Sequence, residues 1–380
     1  MIDRSAAERH EDGWLAPYAM RSGATRGRRH PEEEHGYRSP FMRDRDRVIH
    51  TQAFRRLEFK TQVFVYHEGD HFRTRLTHSI EVAQIARTLA RALRLNEDLI
   101  EAIALSHDLG HPPFGHSGES VLADKMKEHG GFEHNVHGLR IVDHVENRYP
   151  GFRGVNLTFE TREAIAKHSK MKGHPSFDEF RSFAHPSVEA QVADCADSIA
   201  YGAHDLDDGL TSGLLKQDDL KDVSLWRRFA DNLDPDLSPK LRQSAVVRGV
   251  INSQSYDLIE TTLANIERLK IGHPDDARNA PELVARFSPT MDAERKELKE
   301  FLMANMYKSH RVMRMESKTT RIIRELFDAY YTETKLLPPS VLKNMAEQGA
   351  RRIICDYIAG MTDKYALEEH QKLFDPMTRV

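Results

Sequence analysis

His107-Asp108-Leu109-Gly110-His111-Pro112-Pro113-Phe114-Gly115-His116-Ser117-Gly118-Glu119 gathers three imidazoles and two carboxylates into thirteen residues. It follows an amphipathic run, Asn96 to Ser106, that predicts a helix. Asn96 can cap that helix, and Glu97 and Asp98 favour the positive end of its dipole. The helix then ends on His107 and Asp108, and the prolines and glycines that follow predict a rigid turn. Histidine beside aspartate at a helix end is a natural metal position. Beyond the turn, His116 and Glu119 form a candidate acid–base pair. The segment reads as a hydrolase site built between helices.

Apolar residues recur at helical spacing on both sides of it. From Thr77 to Leu95 the stripe is Ile80, Ala83, Ala86, Ala90 and Leu93, widened by Val82 and Leu89. Further helices are predicted over 120–128, 136–147, 161–169 and 186–206, then over 225–232, 238–269, 292–331, 339–359 and 363–374. The one expected strand is Gln62–Tyr66. Residues 1–40, 149–157, 170–186 and 271–290 read as loops rich in Gly, Pro and charge. No repeat or inter-domain linker is present. The expected fold is all-α and multi-helical. A polar N-terminal arm (1–40) precedes one helical domain (41–380), with a core over about 60–210 and C-terminal helices over about 220–380.

Four residues are candidate ligands for one divalent cation: His78, His107, Asp108 and Asp197. The plain alternatives are a helix cap for His78 and a salt-bridged carboxylate for Asp197. The metal reading needs three helices to converge. Asp197, Tyr201 and Asp205 lie at i, i+4 and i+8 and share one helix face.

At these residues the chain resembles the HD-domain phosphohydrolases and, more narrowly, the deoxyguanosinetriphosphate triphosphohydrolase (dGTPase, dNTPase) family. The matching stretches are FRRLEFKTQVF (54–64), HEGDHFRTRLTHS (67–79), SHDLGHPPFGHSGE (106–119), GFEHN (131–135), AKHSK (166–170) and ADSIAYGAHDLDD (196–208). They occur in the family's order and span roughly the first 210 residues. The resemblance implies an HD-domain fold and cleavage of a dNTP between the 5′-oxygen and the α-phosphorus, releasing deoxynucleoside and tripolyphosphate. It implies one Mg²⁺ or Mn²⁺ per subunit on His78, His107, Asp108 and Asp197. It assigns His116 and Glu119 to catalysis, with His134 lining the same cavity. It places Arg75 at the α-phosphate, Gln62 and Asp205 at the 3′-hydroxyl, and Tyr201 against the deoxyribose. It also implies a symmetric homo-oligomer, a tetramer or hexamer, and in some members an activating second dNTP.

Arg55, Arg56, Lys60, Arg73, Lys167, Arg311 and Arg314 are candidates for the outer phosphates, against the plain reading of solvated helix faces. Tyr307, His310 and Arg311 are candidates for the base or phosphate wall, and Val63 for the base. Tyr66 stands where many bacterial relatives carry a small polar residue.

Lys and Arg total 55 against 59 Asp and Glu, a net charge of −4. That balance argues against a dedicated nucleic-acid binder, leaving an accessory single-strand contact through Arg26–His30 and Arg43–Arg56 as an expectation. Cys195 and Cys355 are the only cysteines, so no disulfide framework is expected and a reducing compartment fits. Nothing approaches the ~18 apolar residues of a membrane span, and the charged first residues lack a signal-peptide core. The expected location is the cytoplasm. Two readings compete: an HD phosphohydrolase acting on a monophosphate, cyclic dinucleotide or alarmone, and a non-catalytic nucleotide or nucleic-acid sensor.

Overall fold

The computed structural model describes residues 3–62, 72–171 and 173–379. Among these residues the fold is all-α, as expected, and extended pairing is limited to isolated bridges such as Arg28 with Thr158 and Thr61 with Thr74. The expected strand lies, beyond Gln62, outside the described residues.

α1 (Arg4–Trp14), α2 (Pro40–Ile49) and α3 (Gln52–Arg56) lead to the site-bearing helices. These are α4 (Arg75–Leu93), α5 (Glu97–Ser106), α6 (His116–Met126), α7 (His134–Arg140), α8 (Phe159–His168) and α9 (Val188–Thr211). Local chemistry sets their starts. Thr74 and Thr77 close a capping box on α4. Asn96 accepts from Leu99 N at 3.1 Å to cap α5, as predicted. The remainder comprises α10 (Ser224–Ala230), α11 (Pro239–Leu269), α12 (Pro274–Arg278), α13 (Pro289–Leu302), α14 (His310–Thr332), α15 (Pro339–Leu342), α16 (Met345–Gln348), α17 (Ala350–Ala359) and α18 (Asp363–Phe374).

α4 packs on both α5 and α9. Ala83, Ala86 and Ala90 of α4 and Ala196 and Ala200 of α9 are buried, so little side-chain bulk separates the helices. Val82, Ile85, Leu89, Ile100, Ile103 and Ile199 fill the main core between them. A second apolar cluster joins Val121, Leu122 and Met126 of α6 to Ile323, Leu326 and Phe327 of α14 and to Ile354 and Ile358 of α17. The C-terminal helices thereby pack against α6.

Four departures from the sequence reading have local causes. The helix expected from residue 120 begins at His116, because Gly115 takes φ +54° and serves as its N-cap. The turn before it is tight: a Cβ at Gly118 would lie 2.1 Å from the Pro113 carbonyl oxygen. The helix expected over 292–331 is broken by a π turn, Met303–Tyr307, and restarts where Ser309 caps α14. The stretch 339–359 is cut into α15, α16 and α17, with Gly349 at φ +79° before the last. Within residues 3–40, α1 is followed by Leu15, Ala16, Tyr18, Ala19 and Met20, all in the main core. Glu189 accepts from Met20 N at 2.8 Å, and Asn96 donates to Met20 O at 3.1 Å. So short an apolar run between charged neighbours carries no helical or alternating period.

Candidate metal centre and its acid–base partners

His78 from α4, His107 from the end of α5 and Asp197 from α9 present ligand atoms that all lie within 4.8 Å of one another. His78 Nε2 is 2.9 Å, and His107 Nε2 3.6 Å, from Asp197 Oδ1. Asp108 adjoins them, its Oδ1 3.4 Å from His107 Nε2. His107 Nδ1 lies 2.6 Å from the Ala104 carbonyl oxygen, which can only accept. Nδ1 therefore carries the ring proton and Nε2 presents a lone pair. That Nε2 is buried without a hydrogen-bond partner among the described residues. A buried lone pair facing two carboxylates is unfavourable unless a cation stands among them. Two imidazoles and two carboxylates suit a divalent ion. Burial opposes ionisation of Asp108, yet His107, His111 and Arg75 hold its carboxyl well below the usual range. Asp197 behaves alike: His107 and His78 outweigh its burial. Both are carboxylates at neutral pH.

Beyond the turn, Glu119 faces two histidines. Its Oε1 is 2.8 Å from His134 Nδ1, and its Oε2 is 3.6 Å from His116 Nδ1. The expected His116–Glu119 pairing is thus the looser of the two, and the His116 side chain is 79% exposed. Burial resists ionisation of Glu119, but the hydrogen bonds from His116 and His134 push its pKa far down. The His134 ring stacks on His111, centroids 3.9 Å apart. His111 Nδ1 stands 2.9 Å from Asp108 Oδ1, joining the acid–base group to the metal group. Close backbone approach permits this: a Cβ at Gly110 would lie 1.8 Å from the His134 carbonyl oxygen.

Arg75 is buried and donates to Asp108 Oδ2 at 3.1 Å. Its other terminal nitrogen is 3.0 Å from where a Gly115 Cβ would stand, so the turn leaves room for the guanidinium. Tyr307 Oη donates to Tyr201 Oη at 2.7 Å. Burial and the neighbouring Asp208 raise the Asp205 pKa well above the ordinary value. Asp205 Oδ2 and Gln62 Oε1 are buried with no hydrogen-bond partner among the described residues. Several cations proposed from sequence are committed elsewhere. Lys60 donates to His111 O and to Ala359 O at 2.9 Å, Arg56 to Gly360 O at 2.9 Å, and Arg73 pairs with Glu81, Asp207 and Asp208. His310, Arg311 and Arg314 sit on the exposed start of α14. Val63 and Tyr66 fall outside the described residues.

A cavity of about 280 Å³ opens from His107 and Asp197 and is lined by Lys167, His168, Asp194 and Arg295. Of these, sequence reading singled out only Lys167. His168 lies 2.5 Å from Asp194. Burial opposes its charging, but Asp194, Asp197 and Asp108 raise its pKa to about 9, so it puts positive charge on the cavity wall. Its place in AKHSK, two residues before Lys170, whose N–H bonds Glu133 at 2.8 Å, was the available signal. His111 was also missed, although it stands at i+3 from Asp108.

A model of the HD domain matches residues 75–202, and one of the phosphohydrolase-associated domain matches residues 285–372. The chain is 52% identical over 370 residues, 96% of its own length and 95% of the relative's, to a deoxyguanosinetriphosphate triphosphohydrolase-like protein of Ralstonia pickettii (strain 12J). Proteins of the same description from Bordetella pertussis (strain Tohama I) and Geobacter metallireducens (strain GS-15) are 51% and 48% identical. They match over 95% and 96% of this chain, and 96% of each relative. No helix among the described residues is long and apolar enough to cross a membrane. The convergence of His78, His107, Asp108 and Asp197, together with near-full-length identity of about half, makes this hydrolase a member of the deoxyguanosinetriphosphate triphosphohydrolase-like family of HD-domain proteins.

Proposed function

We propose that this protein hydrolyses deoxynucleoside triphosphates to deoxynucleoside and tripolyphosphate, with water attacking the α-phosphorus. The observation that carries the reading is the buried, unpartnered His107 Nε2 held against Asp197 and Asp108. His78, His107, Asp108 and Asp197 would hold the divalent cation, Mg²⁺ or Mn²⁺. When bound, that ion supplies a Lewis acid for an α-phosphate oxygen and lowers the pKa of a coordinated water.

The protein's own groups carry the rest. Arg75, anchored on Asp108, offers its remaining N–H groups to the α-phosphate in a planar fork. His116, exposed at the start of α6, can deliver a proton to the leaving 5′-oxygen. Glu119 stays ionised and orients His134 and His116. Gln62 Oε1 and Asp205 Oδ2 supply buried, unused polar atoms for the 3′-hydroxyl, with the Tyr201 ring beside them. His168 and Arg295 line the cavity that leads away from His107 and Asp197, where the outer phosphates would run.

Product analysis on the four dNTPs, singly and mixed, with Mg²⁺ or Mn²⁺ in H₂¹⁸O tests this. We expect deoxynucleoside and tripolyphosphate, with ¹⁸O in the tripolyphosphate. Mixtures reveal whether one dNTP activates cleavage of another. Deoxynucleoside monophosphate with pyrophosphate as products would overturn the proposal, as would a preference for a cyclic dinucleotide or alarmone. Asp197→Ala should lose bound metal and turnover together.

A further inference from the structure

His78 is the most deeply buried of the candidate ligands, and a second histidine stands behind it. His78 Nδ1 is 3.3 Å from His204 Nδ1, the rings meeting edge to face at 86°. His204 is 3% exposed. Its other nitrogen, Nε2, is 3.3 Å from Glu81 Oε2. The same Glu81 oxygen accepts from Arg73 Nε at 3.0 Å, and Arg73 is itself held by Asp208 at 2.6 Å. Glu81 follows His78 on α4, while His204 and Asp208 lie one turn apart on α9.

The direction follows from the ligand role of His78. A ligating His78 presents the Nε2 lone pair on the side of Asp197 Oδ1, 2.9 Å away. Its proton is then on Nδ1, which donates to His204 Nδ1. The His204 ring proton falls on Nε2, which faces Glu81 Oε2 at 3.3 Å. The opposite assignment would set a His204 lone pair against the Glu81 carboxylate. Arg73 holds Glu81 in place at the end of the chain.

We propose that Glu81 and His204 are positioning residues for the metal centre: the chain from His78 through His204 to Glu81 fixes the tautomer and ring orientation of His78 and so raises the site's affinity for its divalent cation. The inference rests on the proposed role of His78 as a ligand.

Chelator-stripped protein titrated with Mn²⁺, with free ion read by electron paramagnetic resonance, tests it without recourse to activity. Wild-type protein should bind one ion per chain. His204→Leu should bind ~10–100-fold more weakly, the usual cost of losing an outer hydrogen-bond partner of a ligating histidine. His204→Asn should recover most of the affinity, because Asn Oδ1 occupies the place of Nδ1 and accepts from His78. His204→Gln, whose amide reaches only the Nε2 position, should stay weak. Glu81→Gln, a change at a half-exposed side chain, should weaken binding by ~10-fold and keeps the test open if His204→Leu does not fold. Wild-type affinity in both His204→Leu and Glu81→Gln would overturn the chain while leaving the metal site standing. Equal affinities of the Asn and Gln variants would also overturn it. Absence of Mn²⁺ binding by wild-type protein would overturn the metal reading itself.

Discussion

Glu119 Oε1 accepts two hydrogen bonds from His134, one from the ring Nδ1 at 2.8 Å and one from the backbone N–H at 2.9 Å. Glu119 is thus a brace between the starts of α6 and α7, and His116 is its second, looser partner. A brace and a proton donor fail differently. His116→Ala should keep the wild-type melting temperature, since the side chain is exposed, yet lose at least ~10²-fold in kcat with little change in KM. Glu119→Gln should lower kcat and also loosen α7, because a neutral amide replaces an ion with two donors. Steady-state kinetics beside thermal melts separates the two. Full kcat in His116→Ala would remove His116 from the chemistry.

On the proposed function, sugar selection would rest on Tyr201, held by Tyr307, and on Asp205. Tyr307 holds the Tyr201 hydroxyl at 2.7 Å and so restrains the ring. Exclusion of ribonucleotides would then be steric. Recognition of the 3′-hydroxyl would use Asp205 and Gln62, and a site built to bond a hydroxyl discriminates by up to ~10⁴-fold against its absence. We expect GTP and 2′,3′-dideoxy-GTP to be poor substrates beside dGTP. Tyr201→Ala should narrow the first gap and Asp205→Ala the second. Equal kcat/KM for GTP and dGTP in the wild-type protein would refute the Tyr201 role.

Much of this was legible because local rules carry it. Asn96 as a cap, His107-Asp108 at a helix end and the i, i+4, i+8 face of Asp197, Tyr201 and Asp205 need only short-range chemistry. That α4, α5 and α9 would converge was not derivable from periodicity; buried alanines on α4 and α9 provide it. His204 was hidden for a related reason. It lies seven residues after Asp197 on the same helix, but only the packing of α9 on α4 reveals that it meets His78. The breaks within 292–331 and 339–359 were missed because their apolar spacing continues across Ser309 and Gly349. Asp363 left no local signal, since its partners lie about 250 and 300 residues away.

Asp363 at the start of α18 ties down both approaches to the site. One oxygen accepts from Phe114 N at 2.9 Å and the other from Thr61 N at 2.9 Å. Phe114 sits at φ +61°, a strained conformation for a residue with a side chain, just before Gly115 and His116. Thr61 directly precedes Gln62. Asp363→Asn would turn an amide N–H toward one of these backbone donors. It should cost about 1–3 kcal/mol of stability and, by misplacing His116 and Gln62, lower kcat/KM by up to ~10²-fold. Chemical denaturation and kinetics check this. A variant that matches wild type in both would show that the turn is held by other contacts.

Acid sensitivity should trace in part to His137, which lies on α7 one turn beyond His134 and is 2% exposed. Burial lowers its pKa from the ordinary 6.5 to about 4, against the partial support of Asp356, whose Oδ1 is 3.6 Å away. Above pH 6.5 the ring is neutral in both folded and unfolded chains, and its contribution does not vary. Between pH 6.5 and 4 the unfolded chain takes up a proton that the folded protein refuses, so stability falls as pH falls. The full loss is about 3 kcal/mol, of which about 2 kcal/mol is reached by pH 5. His137→Gln removes the titrating group. Unfolding free energies from urea titrations at pH 7.5 and 5.0, with chelator present to keep metal out of the comparison, should therefore fall more steeply for wild type than for the variant. An identical fall in both proteins would mean that the buried His137 ring is charged in the folded state and paired with Asp356.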